Sequence, residues 1–225
     1  MTVDIANWQP CERPGRAILR GSYAVVAPLV FSTHGEDLFA AICGEAADEI
    51  WTYLPGGPYG NPVELEAMLT LAQNQHGWET MVIRCAETAE VLGMASYMRN
   101  REEHGSTEVG CVTFSKKLQR SRIATEAMYL MAQHVFDDLG YRRYEWKCND
   151  LNAASKQAAI RFGFLYEGLF RNDMIRDGQS RDTAWYAMID SDWPAVKRAF
   201  EIWLSPDNFD EEGLQRRKLA DIRDE

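Results

Sequence analysis

Residues 118–128, Leu-Gln-Arg-Ser-Arg-Ile-Ala-Thr-Glu-Ala-Met, read as a basic loop that runs straight into an amphipathic helix. Lys116, Lys117, Arg120 and Arg122 crowd there with no acidic residue among them. A helix start offers unpaired backbone N–H groups and the positive end of the helix dipole, so the combination suits an anion. The chain as a whole carries a formal net charge of -10. A local cationic seat on an acidic protein points to one small polyanion rather than a long nucleic acid. About one helix further on, Asn152 and Ser155 stand three apart at a second helix start and so share a face. They could touch a ligand there, or they could serve their own helix, since Asn is a favoured N-cap and Ser is common in a first turn.

Other chemistry-bearing residues are dispersed. His34, His76, His104 and His134 share no metal-ligand spacing, so no metal is expected. Five cysteines, at 11, 43, 85, 111 and 148, include no CxxC pair. An odd number cannot all pair within one chain, which fits a reducing cytoplasm and small buried thiols. Trp51, Tyr53 and Tyr59 could line a pocket or close the core, and Trp51 reads as core.

These residues need a frame. Tyr23–Phe31 reads as a strand, with Pro28 marking an edge or an end. Asp37–Cys43 fits a short helix, 51–62 a loop rich in Pro, Gly and aromatics, and Pro62 opens a further helix. Glu79–Cys85, Glu90–Arg99 and Ser106–Ser115 are strand-like and joined by short turns, which implies an antiparallel meander. A helix is predicted from about Arg122 to Leu139, where Gly140 sits as a C-cap. Tyr144–Cys148 is a strand and Asn152–Phe162 a helix. Phe164–Phe170 and Thr183–Ile189 are strands about a turn at Asp177-Gly178. Trp193–Leu204 is a last helix. The expected class is α/β of the α+β type: a mixed central sheet of about seven strands, antiparallel in its front half and flanked by helices. The expected organisation is an arm over 1–19, one domain over 20–204 and a charged tail over 205–225, which reads as a solvated terminal helix or a frayed end.

Bulk properties narrow the function. At 225 residues and 46% hydrophobic, the chain can bury a full core. The sequence pI of about 5.0 argues against nucleic-acid or anionic-membrane partners. No apolar run approaches the roughly 20 residues of a membrane span, and residues 1–20 lack the apolar core of a signal peptide, so a cytoplasmic protein is expected.

The stretch from Ala124 to Gly168 resembles the second half of the GNAT acetyltransferase superfamily. It is most similar to the ribosomal-protein N-terminal acetyltransferase (RimL-type) branch. The matching pieces are Ala124-Thr125-Glu126-Ala127, the Phe136…Leu139-Gly140 helix end, Asn152-x-x-Ser155, Gly163-Phe164 and Glu167-Gly168. The likeness runs from about Arg20 to Trp193. It implies an acetyl-CoA-dependent N-acetyltransferase that acts by direct transfer to a primary amine, either a protein N-terminus or a small molecule. A homodimer is a form such enzymes often take. The second reading is a GNAT-fold module that binds CoA or a partner without turnover.

The resemblance also implies site residues. Backbone groups of Cys111, Val112, Thr113 and Phe114 would hold the pantetheine and polarise the thioester carbonyl. Gln119, Arg120, Ser121, Arg122, Ile123, Ala124 and Thr125 would cradle the pyrophosphate. Asn152 would lie along the pantetheine arm, and Ser155 would donate a proton to the departing sulfur. Glu108 would take the amine proton, directly or through water, unless it is a plain exposed strand carboxylate. Glu167 and Asp173 are further carboxylates in positions where such enzymes carry one. The branch often has Gly at positions 120 and 122, where this chain has Arg. An Arg forced into left-handed geometry costs roughly 1–2 kcal/mol. Either the loop stays right-handed and the arginines grip phosphates themselves, or they are simply solvated and binding is lost.

Overall fold

The computed structural model describes residues 5–44, 47–176 and 178–225. The chain divides into two compact units: residues 10–141, and residues 142–225 with the described part of the segment ending at Gln9.

In the first unit the order is β1 (Leu19–Arg20), β2 (Ala24–Pro28), α1 (Phe31–Cys43), α2 (Ala47–Trp51), α3 (Pro62–His76), β3 (Glu79–Cys85), β4 (Val91–Arg101), β5 (Ser106–Phe114) and α4 (Arg122–Gln133). Its five strands are antiparallel neighbours in chain order. Strand residues alternate between faces, so β4 supplies two cores at once. Met94 and Met98 join Leu38 and Ile42 of α1, Leu65 and Leu69 of α3, and Trp51 in one buried cluster. On the other face Tyr97 is fully buried and its hydroxyl donates to the Met131 carbonyl of α4 at 3.2 Å. Trp51 is core, as its sequence setting suggests: the indole N–H donates to Ile42 O at 2.7 Å and the ring meets Tyr59 edge-on at 5.2 Å.

Several boundaries differ from the sequence reading, each for a local reason. The strand expected over Tyr23–Phe31 ends at Pro28, because α1 begins at Phe31, well before Asp37. Val30, the N-cap of α1, has no side chain able to cap; instead its own N–H donates back to His34 Nδ1 at 3.2 Å. Trp51, expected at the start of a loop, closes the short helix α2. α3 starts where Pro62 suggests, with Asn61 accepting from the Glu64 N–H and Glu64 accepting from the Gly60 N–H, a reciprocal cap. The helix expected to reach Leu139 is α-helical only to Gln133 and then continues as a π turn over His134–Asp138. Part of the expected N-terminal arm is tied down: Leu19 pairs with Val26, Cys11 N donates to Glu102 O, and Tyr141 Oη donates to Glu12 O.

One contact locks the start of the sheet to α4. Glu126 is buried, and its carboxylate accepts from three consecutive amides, Ser22, Tyr23 and Ala24, at 2.9, 2.5 and 2.6 Å. The β1–β2 turn thus wraps an anion carried by the helix. Gly21 is required beside it, since a Cβ there would sit 2.3 Å from the Glu126 carboxylate.

The second unit contains β6 (Arg143–Asn149), α5 (Ala153–Arg161), β7 (Leu165–Arg176), β8 (Gln179–Ile189), α6 (Trp193–Leu204) and α7 (Leu219–Arg223). Its strand order is β6-β8-β7 with both pairings antiparallel, so β6 and β7 run parallel with β8 between them and α5 as the crossover. Every strand pairing described within either unit is antiparallel. Tyr144 and Trp146 of β6 meet Phe164, and Phe162 at the end of α5 stacks on Phe200 of α6 at 6.2 Å. β7 and β8 are longer than expected, reaching Arg176 and starting at Gln179; Asp177 of the expected turn lies outside the described residues. The described strands number eight, the extra one being the two-residue β1. The C-terminal segment is not frayed. Leu219 and Ile222 are buried, Asn208 donates to Trp203 O, and Arg223 donates to Ile160 O at the end of α5.

Removing the Glu126 carboxylate would strand three backbone donors, that of Ala24 buried, and an unsatisfied buried donor costs about 1–3 kcal/mol. Glu126→Ala and Gly21→Ala are each expected to destabilise the fold by about 3 kcal/mol, a fall in Tm on the order of 10 °C. A calorimetric melt within about a degree of the parent protein would remove Glu126 from this role.

Candidate functional site

The turn between β5 and α4 is built almost wholly from its own backbone. Leu118 N and Gln119 N both donate to Ser115 O at 3.0 Å, and Ser121 N donates to Leu118 O at 3.2 Å. Leu118 is fully buried and pins the turn from below. Ser121 is the N-cap of α4: its Oγ accepts from Ala124 N at 3.0 Å and donates to Leu118 O at 2.6 Å. Thr125 N and Oγ1 both reach Ser121 O. Among the described residues the amides of Arg120 and Ile123 take no protein acceptor. They stand at the loop and at the positive end of the helix, where an anion is favoured.

Arg120 resolves the question raised by the missing glycines. Its φ is 58°, in the left-handed region that Gly would occupy. The loop has not stayed right-handed there; it keeps the bend and accepts the strain. Arg122 is different, since it is the first residue of α4 with helical backbone, and Gly is not needed there.

The four cations do not act as one cluster. Lys116 pairs with Glu49 and Lys117 with Glu90. Arg122 lies over the Tyr23 ring at 4.9 Å and donates to its hydroxyl at 3.2 Å. Arg120 is exposed to solvent. The side chain of Gln119 turns back to donate to Phe114 O. What the turn offers to solvent is therefore backbone amides and the Arg120 side chain rather than a ring of four cations.

β5 carries an irregularity at the expected carbonyl-polarising position. Met94 faces Thr113 and Ser96 faces Gly110, so Cys111 and Val112 together oppose Ala95. Cys111 has φ 48°, the mark of a bulge that takes backbone groups out of the ladder. Thr113 Oγ1 donates to Cys111 O at 3.0 Å. Burial pushes the Cys111 thiol up to about 12, which makes it a poor nucleophile at neutral pH. The five cysteines are free thiols.

Glu108, on β5 ahead of this bulge, is not an exposed carboxylate. It is 3% exposed, and Arg99 Nη1 donates to both of its oxygens at 2.7 Å. Arg99 reaches it from a bulge of β4, with φ 46°.

In the second unit, Asn152 and Ser155 are brought together as a cap. Asn152 Oδ1 accepts from Ser155 N at 3.0 Å at the start of α5. Ser155 Oγ accepts from the Trp146 indole at 2.9 Å. Glu167 is held in a fork by Arg143, which also donates to Glu145. Asp173 is exposed on β7.

Two features of the site escape the sequence reading. Glu126 sits among apolar neighbours in a helix segment buried from Ala124 to Ala132, and a lone carboxylate in such a segment was the available signal. The Arg99–Glu108 pair depends on a bulge that no local pattern announces. Among the described residues no group of His, Cys, Asp and Glu is placed to hold a metal, and no helix is long and apolar enough to cross a membrane.

Comparison with known proteins accords with this geometry. Residues 29–165 match the family model described as an acetyltransferase (GNAT) domain. A GCN5-related N-acetyltransferase from Brucella melitensis is 40% identical, with a TM-score of 0.94 over 98% of this chain and 100% of that one. A probable GNAT-family acetyltransferase from Chromobacterium violaceum is 36% identical, with a TM-score of 0.79 over 86% of this chain and 96% of that one. The ribosomal-protein-S5-alanine acetyltransferase of Vibrio fischeri shares the fold at 16% identity, with a TM-score of 0.62 over 79% of this chain and 99% of that one. Proteins of curated function give no match. The fold is the GNAT fold, and the chain belongs to the GNAT acetyltransferase family. It is an acetyltransferase enzyme.

The left-handed backbone at Arg120 has a measurable cost. Arg120→Gly should be more stable than Arg120→Ala by about 1 kcal/mol, because Gly relieves the strain that Ala keeps. Denaturant midpoints compare the two; equal midpoints would show that residue 120 does not hold this conformation in solution.

Proposed function

We propose that the enzyme is an acetyl-CoA-dependent N-acetyltransferase of the ribosomal-protein N-terminal type, transferring acetyl directly to a primary amine. The observation that carries this reading is Arg120. A residue held at positive φ against its own preference keeps the turn before α4 in a shape that presents amides to an anion. Acetyl-CoA is an activated acetyl donor with a diphosphate in its handle, and the donors of this turn fit such a group.

The roles follow from what each residue offers. Within Gln119 to Thr125 the amides of Arg120 and Ile123 bind the diphosphate, the other residues hold the turn in shape, and the Arg120 side chain adds charge. Backbone at the β5 bulge, Cys111 to Phe114, holds the pantetheine and donates to the carbonyl as it gains negative charge. Glu108, fixed by Arg99, takes the amine proton. Asn152 and Ser155 keep the roles that the resemblance gives them, pantetheine contact and proton donation to the leaving sulfur. Ser155 accepts from Trp146, which leaves its own O–H to donate. The raised Cys111 thiol favours transfer without a covalent enzyme intermediate. A strongly acidic protein attracts basic acceptors, which supports a protein N-terminus such as that of a ribosomal protein.

Isothermal titration calorimetry with acetyl-CoA tests the reading. Binding tighter than about 1 mM is expected, and Arg120→Glu should weaken it at least about tenfold. A silent titration with the parent protein would overturn it. With peptide acceptors, kcat/KM should climb about tenfold per pH unit until the α-ammonium has lost its proton near pH 8, then level. A climb persisting past pH 10 would point to lysine-type amines instead. Cys111→Ala should keep turnover within about threefold, whereas a loss of a hundredfold or more would establish a thiol intermediate.

A further inference from the structure

β6 and β8 pair without a break from Asn149↔Thr183 to Arg143↔Ile189, so residues opposed across them share a face. Tyr144 and Trp146 turn one way, into the aromatic core with Phe162 and Phe164. Lys147 and Trp185 are opposed on the other face, as are Asn149 and Thr183, and Phe170 of β7 stands beside Thr183. Two polar groups on this second face are unusual. Thr183 is 2% exposed, and its hydroxyl has no hydrogen-bond partner among the described residues. The indole N–H of Trp185, two residues on, is likewise buried and unpartnered there. Buried polar groups are nearly always bonded, and Val and Phe would suit these strand positions without stranding a donor.

The surroundings define what the two donors can take. The Trp185 ring is held by the Phe170 ring, 4.5 Å away between centroids, and by Lys147 Nζ, 3.6 Å from its centre. Lys147 is committed in turn to Glu145 at 2.9 Å, a pair whose side chains are 7% and 3% exposed. Arg143 donates to Glu145 as well and grips Glu167 in a fork. These cations and carboxylates answer one another. What remains is one neutral O–H and one neutral N–H beside aromatic rings. The indole N–H is a donor only, and the hydroxyl can donate too. Two neutral donors suit uncharged carbonyl oxygens, whereas a polycationic ligand calls for unspent carboxylates.

The donors also stand at the right end of the sheet. Asn149, opposite Thr183, is the last residue of β6. Its Oδ1 accepts from Leu151 N at 3.0 Å, at the turn that leads to Asn152 and Ser155 at the start of α5. β6 and β7 run parallel on either side of β8 with α5 as their crossover, and ligands gather beyond the carboxyl ends of strands so connected. Thr183 and Trp185 thus lie toward the end of this unit that carries the residues assigned above to the thioester.

We propose, resting on the transfer activity put forward above, that Thr183 and Trp185 form an acceptor subsite for main-chain carbonyl oxygens, so that the acceptor is a peptide with a free α-amine rather than a polycationic small molecule. Indole 1H–15N NMR on the full chain reads this contact without turnover, and the signal lost in Trp185→Phe is that of Trp185. A short amidated peptide with a free α-amine should move this signal downfield. Spermidine, a polyamine with no carbonyl, should leave it in place. In the same titration Thr183→Val should raise the peptide dissociation constant about threefold to tenfold, the worth of one neutral hydrogen bond. Thr183→Ser, which keeps the hydroxyl, should stay within about twofold of the parent protein. Thr183→Val should also melt no lower than the parent, because it removes an unmet buried group and keeps the shape. In steady-state assays kcat/KM for the peptide should exceed that for spermidine at least about tenfold. An indole signal unmoved by peptide or moved equally by spermidine, a Val variant that binds as the parent does or melts lower, or a preference for spermidine would each overturn the subsite. A silent acetyl-CoA titration would instead remove the transfer reading, with the indole signal still deciding whether peptide binds here.

Discussion

A buried carboxylate that accepts from three successive amides is the constraint on which the first unit depends. Glu126 belongs to α4, and the amides of Ser22, Tyr23 and Ala24 belong to the β1–β2 turn, so a helix and a distant hairpin share one charge. Burying an anion is costly unless its lone pairs are filled, and three N–H donors at short distance fill them. The same turn brings Tyr23 under the guanidinium of Arg122, the first residue of α4. The start of α4 is therefore held from both sides, by an anion within its buried segment and by an aromatic ring beneath its first residue. The amides at that start point where the rest of the fold requires.

The N-cap uses the same economy of backbone. Ser121 serves both Ala124 N and Leu118 O, and Leu118 plugs the core. With the turn fixed at both ends, Arg120 has no conformational choice left and takes the left-handed bend. A Gly at this place would itself permit the bend; here the neighbours impose it on Arg120.

How much of this was legible in the sequence depends on the range of the interaction. Trp193–Leu204 and Glu79–Cys85 were readable to the residue, because apolar spacing and flanking turn residues agree there. Pro62 announced α3 for the same reason. The start of α1 was hidden because Val30 carries no capping side chain, and β7 was cut short because its charged centre at Arg171–Asp173 looks like a loop. The site divides along similar lines. The basic loop and the helix start could be read directly. That Lys116 and Lys117 are committed to Glu49 and Glu90 could not, since those partners lie 67 and 27 residues away. Glu108 was legible as a carboxylate but not as one gripped by Arg99, whose approach depends on a bulge. Asn152 and Ser155 matched a pattern, and their local capping bonds are what that pattern most directly encodes.

Because the cradle before α4 is shaped by main chain, the side chain at position 120 is decoupled from its shape. It projects into solvent, where ions damp any field beyond roughly 8 Å at physiological strength. Exchange of that one residue can thus retune the electrostatic reach of the turn without remodelling the scaffold.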